Sequence, residues 1–76
     1  MYSYNIYADA NHAQFICTCS AIENAVQIST KEKLLIDVDG SEIQIYHTPH
    51  GEIRVFNDYE VGAVYVDSDF ELNELL

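Results

Sequence analysis

The dipeptide Asp39-Gly40, set between two alternating runs, constrains this chain more than any other feature. Leu34–Val38 precedes it and Ser41–His47 follows it. Asp-Gly is a preferred centre for a two-residue type I′ turn, whose twist matches that of the flanking strands. A turn closed there puts Val38 opposite Ser41, Ile36 opposite Ile43 and Leu34 opposite Ile45. Those six residues then line one face, expected to be the core side. The other face carries Leu35, Asp37, Glu42, Gln44 and Tyr46. Side chains alternate with a period of two, so this register decides which set is buried.

The rest of the chain reads around that hairpin. Residues 2–8 alternate as a strand, with Tyr2, Tyr4 and Ile6 on one face, and Asp9–His12 reads as a turn. Ala13–Cys19 reads as a second strand with Phe15, Cys17 and Cys19 together. Ser20-Ala21-Ile22-Glu23 has the form of a capping box and predicts a helix from Ala21 to about Thr30. Ile22, Ala25, Val26 and Ser29 form its stripe, and Lys31 and Lys33 suit the negative end of its dipole. His47–Gly51 is a turn around Pro49. Glu52–Phe56 is a strand with Ile53 and Val55 inward and Glu52, Arg54 and Phe56 outward. Val61–Val66 predicts a last strand. Ser68-Asp69-Phe70-Glu71 is a second capping box that opens a short C-terminal helix, with Phe70, Leu72, Leu75 and Leu76 as its apolar contacts. The order β-β-α-β-β-β-β-α describes an α+β fold: an antiparallel sheet with one helix packed on a face. Seventy-six residues make a single domain, 1–76.

Charge decides what such a domain can meet. Lys31, Lys33 and Arg54 stand against thirteen carboxylates, a net charge of −10. Yet 49% of the residues are hydrophobic and nine are aromatic, which excludes a disordered acidic tail. The field of a folded, strongly negative domain repels nucleic acid and membrane surfaces and attracts basic ones. Asp58, Glu60, Asp67, Asp69, Glu71 and Glu74 fall in the last 20 residues, which hold no Lys or Arg. Asp37, Glu42 and Glu52 are expected on the outward sheet face, with Asp39 at the hairpin tip. Carboxylates two residues apart on a strand lie roughly 6.5–7 Å apart. That matches two steps of about 3.4 Å along one strand of duplex DNA. Tyr46 and Phe56, on the same face, are expected to supply a desolvated centre for an interface. These twelve residues are the candidate partner-binding set.

Other chemistry finds little footing. No nucleophile elbow, oxyanion loop or Gly-rich phosphate loop is present, so no enzyme activity is expected. Cys17-x-Cys19 and His47-x-x-His50 hold ligand types that zinc accepts, but the spacing fits no known finger, and no cofactor is expected. The first twelve residues lack a basic and an apolar region, and no apolar run spans a membrane, so a cytoplasmic location is expected.

The whole-chain profile is similar to that of small phage-encoded inhibitors of bacterial defence, especially anti-CRISPR proteins and other DNA mimics. The resemblance rests on length, on the acid excess from Asp37 to Glu74, and on the β-β-α start through Ser20–Glu23. The group shares no diagnostic motif and no common fold, so no residue is carried over. The resemblance implies a non-enzymatic inhibitor that binds a basic nucleic-acid-binding protein or nucleoprotein complex, such as a CRISPR effector, inside a host bacterial cell. It implies no direct contact with nucleic acid. The alternative reading is a structural or adaptor protein acting through homodimerisation or sheet-edge pairing.

Overall fold

Asn11, not Ser20, opens the helix. The computed structural model describes residues 1–72 and places strand β1 at Tyr2–Tyr7, followed by helix α1 at His12–Ala25. The Asn11 side chain accepts from the Gln14 amide at 3.0 Å, which satisfies a first-turn donor. Phe15, Thr18, Cys19 and Ile22 are buried along one stripe at helical spacing. The expected strand over Ala13–Cys19 and the separate helix from Ala21 are therefore corrected to one helix. Thr18 hid the stripe, because it counts as polar in the sequence. Its hydroxyl donates to the Gln14 carbonyl at 2.8 Å, so it is buried without an unmet hydrogen bond. Ser20 lies exposed inside the helix and caps nothing.

The hairpin closes one residue away from the expected register. Strands β2 (Thr30–Lys31) and β3 (Leu35–Ile36) both pair with β4 (Glu42–Thr48), and Leu35 faces Ile43 while Ile36 faces Glu42. The loop is Val38-Asp39-Gly40, three residues rather than two. The Asp37 amide donates to the Ser41 carbonyl at 2.8 Å, and Gly40 takes φ +89, where a side chain is disfavoured. A one-residue slip exchanges the faces of β4, while Leu34 still packs against the core as expected and Ile36 shares the side of Glu42. Glu42, Gln44 and Tyr46 turn under the helix and are buried, while Ile36 and Val38 are exposed.

The next strand dictates that exchange. Strand β5 (Gly51–Asp58) joins β4 through the two-residue connection Pro49-His50, with Thr48 opposite Gly51. That turn fixes Tyr46 opposite Ile53 and Gln44 opposite Val55. Directly opposed residues share a face. Ile53 and Val55 must be buried, as expected from the sequence, so Tyr46 and Gln44 go with them. The buried Gln44 amide donates to the Glu32 carbonyl at 2.6 Å.

Strand β6 (Ala63–Ser68) completes an antiparallel sheet of order β1-β6-β5-β4-β2, with β3 also on β4. β1 pairs with β6, not with a neighbouring second strand. Helix α1 crosses the sheet and seals one face over Tyr46, Ile53, Val55, Val64 and Val66, with Leu72 joining the core. The C-terminal helix expected from Ser68 is absent over residues 68–72. Ser68 ends β6, and its hydroxyl bonds both the carbonyl and the amide of Phe70. Leu75 and Leu76 lie outside the described residues.

A polar network ties the helix start to the sheet. The buried Glu42 carboxylate meets His12 Nδ1 at 2.8 and 3.0 Å and accepts from Asn57 Nδ2 at 3.0 Å. Asn57 is fully buried, and its Oδ1 accepts from the Asn11 amide at 2.9 Å. Removing its side chain takes one partner from the buried Glu42 carboxylate and the side-chain acceptor from the partly buried Asn11 amide. Asn57→Ala is therefore expected to cost about 1–3 kcal/mol in urea unfolding, and a loss below about 0.5 kcal/mol would contradict that role.

Tyr46 gives a second expectation. Its ring is fully buried and its hydroxyl donates to Glu23 Oε2 at 2.5 Å. Burial, and then the Glu23 carboxylate, push its ionisation far above the ordinary tyrosine range. A raised folded value favours the native state below the unfolded value of about 10, and that contribution fades as pH climbs above it. Alkaline titration should therefore show the Tyr46 phenolate only together with cooperative loss of native ellipticity. Ionisation of Tyr46 in a chain that stays folded, resolved with Tyr46→Phe as the reference, would contradict the burial.

Candidate partner-binding surface

Two turns meet at one end of the sheet and bring four carboxylates together. The β3–β4 loop brings Asp37 and Asp39, and the β5–β6 turn brings Asp58 and Glu60. They become neighbours because antiparallel pairing sets the start of β4 against the end of β5, Glu42 opposite Asn57. The Tyr59 amide donates to Ser41 Oγ at 3.0 Å, which links the two turns. Between them lies a pocket of about 140 Å³, lined by the four carboxylates together with Ile43, Phe56 and Tyr65 among others. The Phe56 and Tyr65 rings stack with centroids 4.7 Å apart.

Three of these carboxylates, Asp37, Asp39 and Asp58, are held by backbone rather than by cations. Asp37 Oδ1 accepts from the Val38 amide at 2.7 Å, and Asp39 Oδ1 from the Ser41 amide at 2.9 Å. Asp58 Oδ1 accepts from the amides of Glu60 and Val61, and its Oδ2 accepts from the Tyr65 hydroxyl. The Ser41 amide holds the Asp39 carboxyl below the usual range. Desolvation, then Asp58, push the Tyr65 phenol up, so it stays a donor. Among the described residues, no Lys, Arg or His approaches any of these four carboxylates within 4 Å. Apolar side chains adjoin them in the chain, Val38 between Asp37 and Asp39 and Tyr59 between Asp58 and Glu60. Ile36, Val38, Tyr59 and Val61 are all exposed, Val38 completely.

The other end of the open sheet face pairs its carboxylates with basic side chains. Arg54 Nη1 donates to Glu52 Oε1 at 2.6 Å, and its Nη2 lies 3.5 Å from Asp69 Oδ1. Glu52 holds the guanidinium above its ordinary value. The Glu52 amide, then Arg54, hold the Asp69 carboxyl below its own. His47 contacts Glu32 there. Asp67 lies opposite Arg54 on β6 and accepts from Ser3 Oγ at 2.7 Å.

The candidate residues of the sequence therefore separate. Asp37, Asp39, Asp58 and Glu60 converge, and Phe56 lines their pocket. Glu52 and Asp69 are spent on Arg54. Glu42 and Tyr46 are corrected from the outward face to the buried one: the first is bound to His12 and Asn57, the second packed under α1. Glu71 is exposed, and Glu74 lies outside the described residues. The regular strand array of Asp37, Glu42 and Glu52 does not form, because the register slip turns Glu42 inward. The exposed apolar group Ile36, Val38 and Val61 was missed. A shorter turn had placed Ile36 and Val38 in the core.

Cys17 is exposed and Cys19 buried, both as free thiols, two positions apart on α1 and so on different sides of it. Among the described residues, no group of three or more His, Cys, Asp or Glu side chains is placed to hold a metal ion. No described helix is long and apolar enough to cross a membrane. Neither a protein-family model, nor a curated protein, nor a solved structure matches this chain.

Proposed function

We propose that this protein is a non-enzymatic inhibitor that binds a basic nucleic-acid-binding surface of a partner, by presenting carboxylates where phosphates would lie. The partner class that the whole-chain profile suggests is a nucleoprotein complex such as a CRISPR effector. One observation carries the reading: four carboxylates line one pocket at a tip of the sheet, have no cationic partner among the described residues, and are adjoined in the chain by the exposed side chains of Val38 and Val61. A coat that served solubility alone would not need Val38 and Val61 in the open. An interface does, since a desolvated apolar centre supplies affinity while a charged rim sets on-rate and register. Backbone amides fix Asp37, Asp39 and Asp58, so little side-chain freedom is lost when a basic group docks. Arg is the best-matched partner residue, because its fork meets a carboxylate with two parallel hydrogen bonds.

The test is affinity capture from bacterial lysate with tagged full-length chain, eluted by salt and challenged with duplex DNA or RNA. The expected result is a nucleic-acid-processing protein released by a few hundred millimolar salt and displaced by the nucleic acid, as competition for one charged surface requires. Capture of a partner that nucleic acid does not displace, at any salt, would contradict the mimicry.

A further inference from the structure

The two edges of the sheet are built differently. On one side stand β2 and β3, two residues each, with Lys31, Glu32 and Lys33 at and between them. Short strands and charges are the usual guards of an edge. On the other side stands β1, Tyr2-Ser3-Tyr4-Asn5-Ile6-Tyr7, six residues long. It carries no charge, no Pro and no Gly, and its tyrosines and Ile6 favour the extended state. Among the described residues, β1 pairs with β6 alone, so its outer edge has no strand beside it. A chain of net charge −10 leaves its longest free edge neutral.

We propose that β1 is a self-pairing edge, on which a second copy of this chain docks antiparallel and joins two sheets into one. The pattern of β1 is complementary to itself. With Tyr4 of one copy against Tyr4 of the other, Tyr2 falls opposite Ile6 and Ser3 opposite Asn5. Tyr4 and Ile6 lie on the face packed toward the core, and Ser3 bonds to Asp67 on the open face. Apolar residues therefore meet apolar ones and polar residues meet polar ones, the pairing that stabilises antiparallel strands. A bulge between Asn5 and Tyr7 limits the regular run, and beside it a recess of about 470 Å³ lined by Ile6, Tyr7, Ala8 and Ala63 gives the partner's Tyr2 ring a place. Elsewhere the copies repel each other. A neutral strand is where two such copies can approach closely.

The pairing does not rest on the proposed inhibition, and salt separates the two. Screening weakens an acid–base contact but strengthens contact between like-charged copies. Sedimentation equilibrium of the full chain should show a dimer whose association tightens as NaCl rises from about 0.05 to about 0.5 M. The variant Ser3→Lys/Asn5→Lys changes two exposed side chains. It lowers the net charge from −10 to −8, yet it should weaken the dimer about tenfold or more, because edge lysines block strand pairing. Amide exchange of the wild-type chain gives a second reading: β1 amides should slow as protein concentration rises. A monomer at both salts, a dimer indifferent to the lysines, or β1 exchange independent of concentration would each overturn the proposal.

Discussion

Neutralising Asp37, Asp39, Asp58 and Glu60 together, as Asn, Asn, Asn and Gln, will weaken partner binding by about 100-fold at low salt, while any one change costs no more than a few-fold. The magnitude follows from summing exposed pairs. Each rim ion pair contributes about 0.2–1 kcal/mol, so four contribute about 1–4 kcal/mol, and about 2.7 kcal/mol is a factor of 100. The loss should fall mainly on the association rate and should shrink as salt rises. The fold should survive. The amide oxygen that replaces each aspartate oxygen can still accept from the backbone groups of Val38, Ser41, Glu60 and Val61. An unchanged thermal midpoint is the control. A quadruple variant that binds like wild type would remove the tip from the account.

The second large effect is on folding itself. Phe15→Ala should leave the chain mostly unfolded at room temperature. Phe15 is buried to 1% exposure in the core with Ile22, Tyr46, Ile53 and Val66. Truncating a buried Phe costs about 3–5 kcal/mol, as much as a core of this size supplies. Cys17→Lys, two positions away, should be tolerated, because Cys17 is exposed. The pair distinguishes helix from strand. On a strand, Cys17 would share the buried face with Phe15, and a lysine there would be as damaging as the alanine. Far-ultraviolet circular dichroism and urea titration of the two variants read both outcomes. A folded Phe15→Ala chain would contradict the core role of Phe15, and an unfolded Cys17→Lys chain would contradict the helix.

Those two residues also show where the sequence was legible. Alternation of Phe15, Cys17 and Cys19 imitated a strand because Thr18, the third member of the helical stripe, is polar. Ser20-Ala-Ile-Glu23 imitated a cap, while the working cap was Asn11, three residues before Gln14. The class of fold, the inward pair Ile53 and Val55 and the outward trio Glu52, Arg54 and Phe56 were readable, because strong alternation there meets no competing pattern. The hairpin was half readable. Asp39-Gly40 marks a turn in either register, since Gly40 serves a three-residue loop as well as a two-residue one. The strand Ser41–His47 offers apolar residues on one parity and Glu42, Gln44 and Tyr46 on the other. Hydrophobicity alone favours burying Ile43 and Ile45. The decision is made elsewhere, by the two-residue connection at Pro49-His50 and by the demands of β5. The acid excess was plain, but its convergence was not. Asp37 and Asp39 meet Asp58 and Glu60 only through β4–β5 pairing, a contact between segments about twenty residues apart in the chain.

The most direct measurement is zero-length carbodiimide cross-linking of the captured complex, which joins carboxylates to lysines in contact, followed by mass spectrometry. The account predicts that Asp37, Asp39, Asp58 and Glu60 carry the cross-links, that they reach lysines lining the partner's nucleic-acid-binding groove, and that they disappear when duplex nucleic acid fills that groove. Cross-links confined to other carboxylates, or to partner lysines outside the groove, would contradict it.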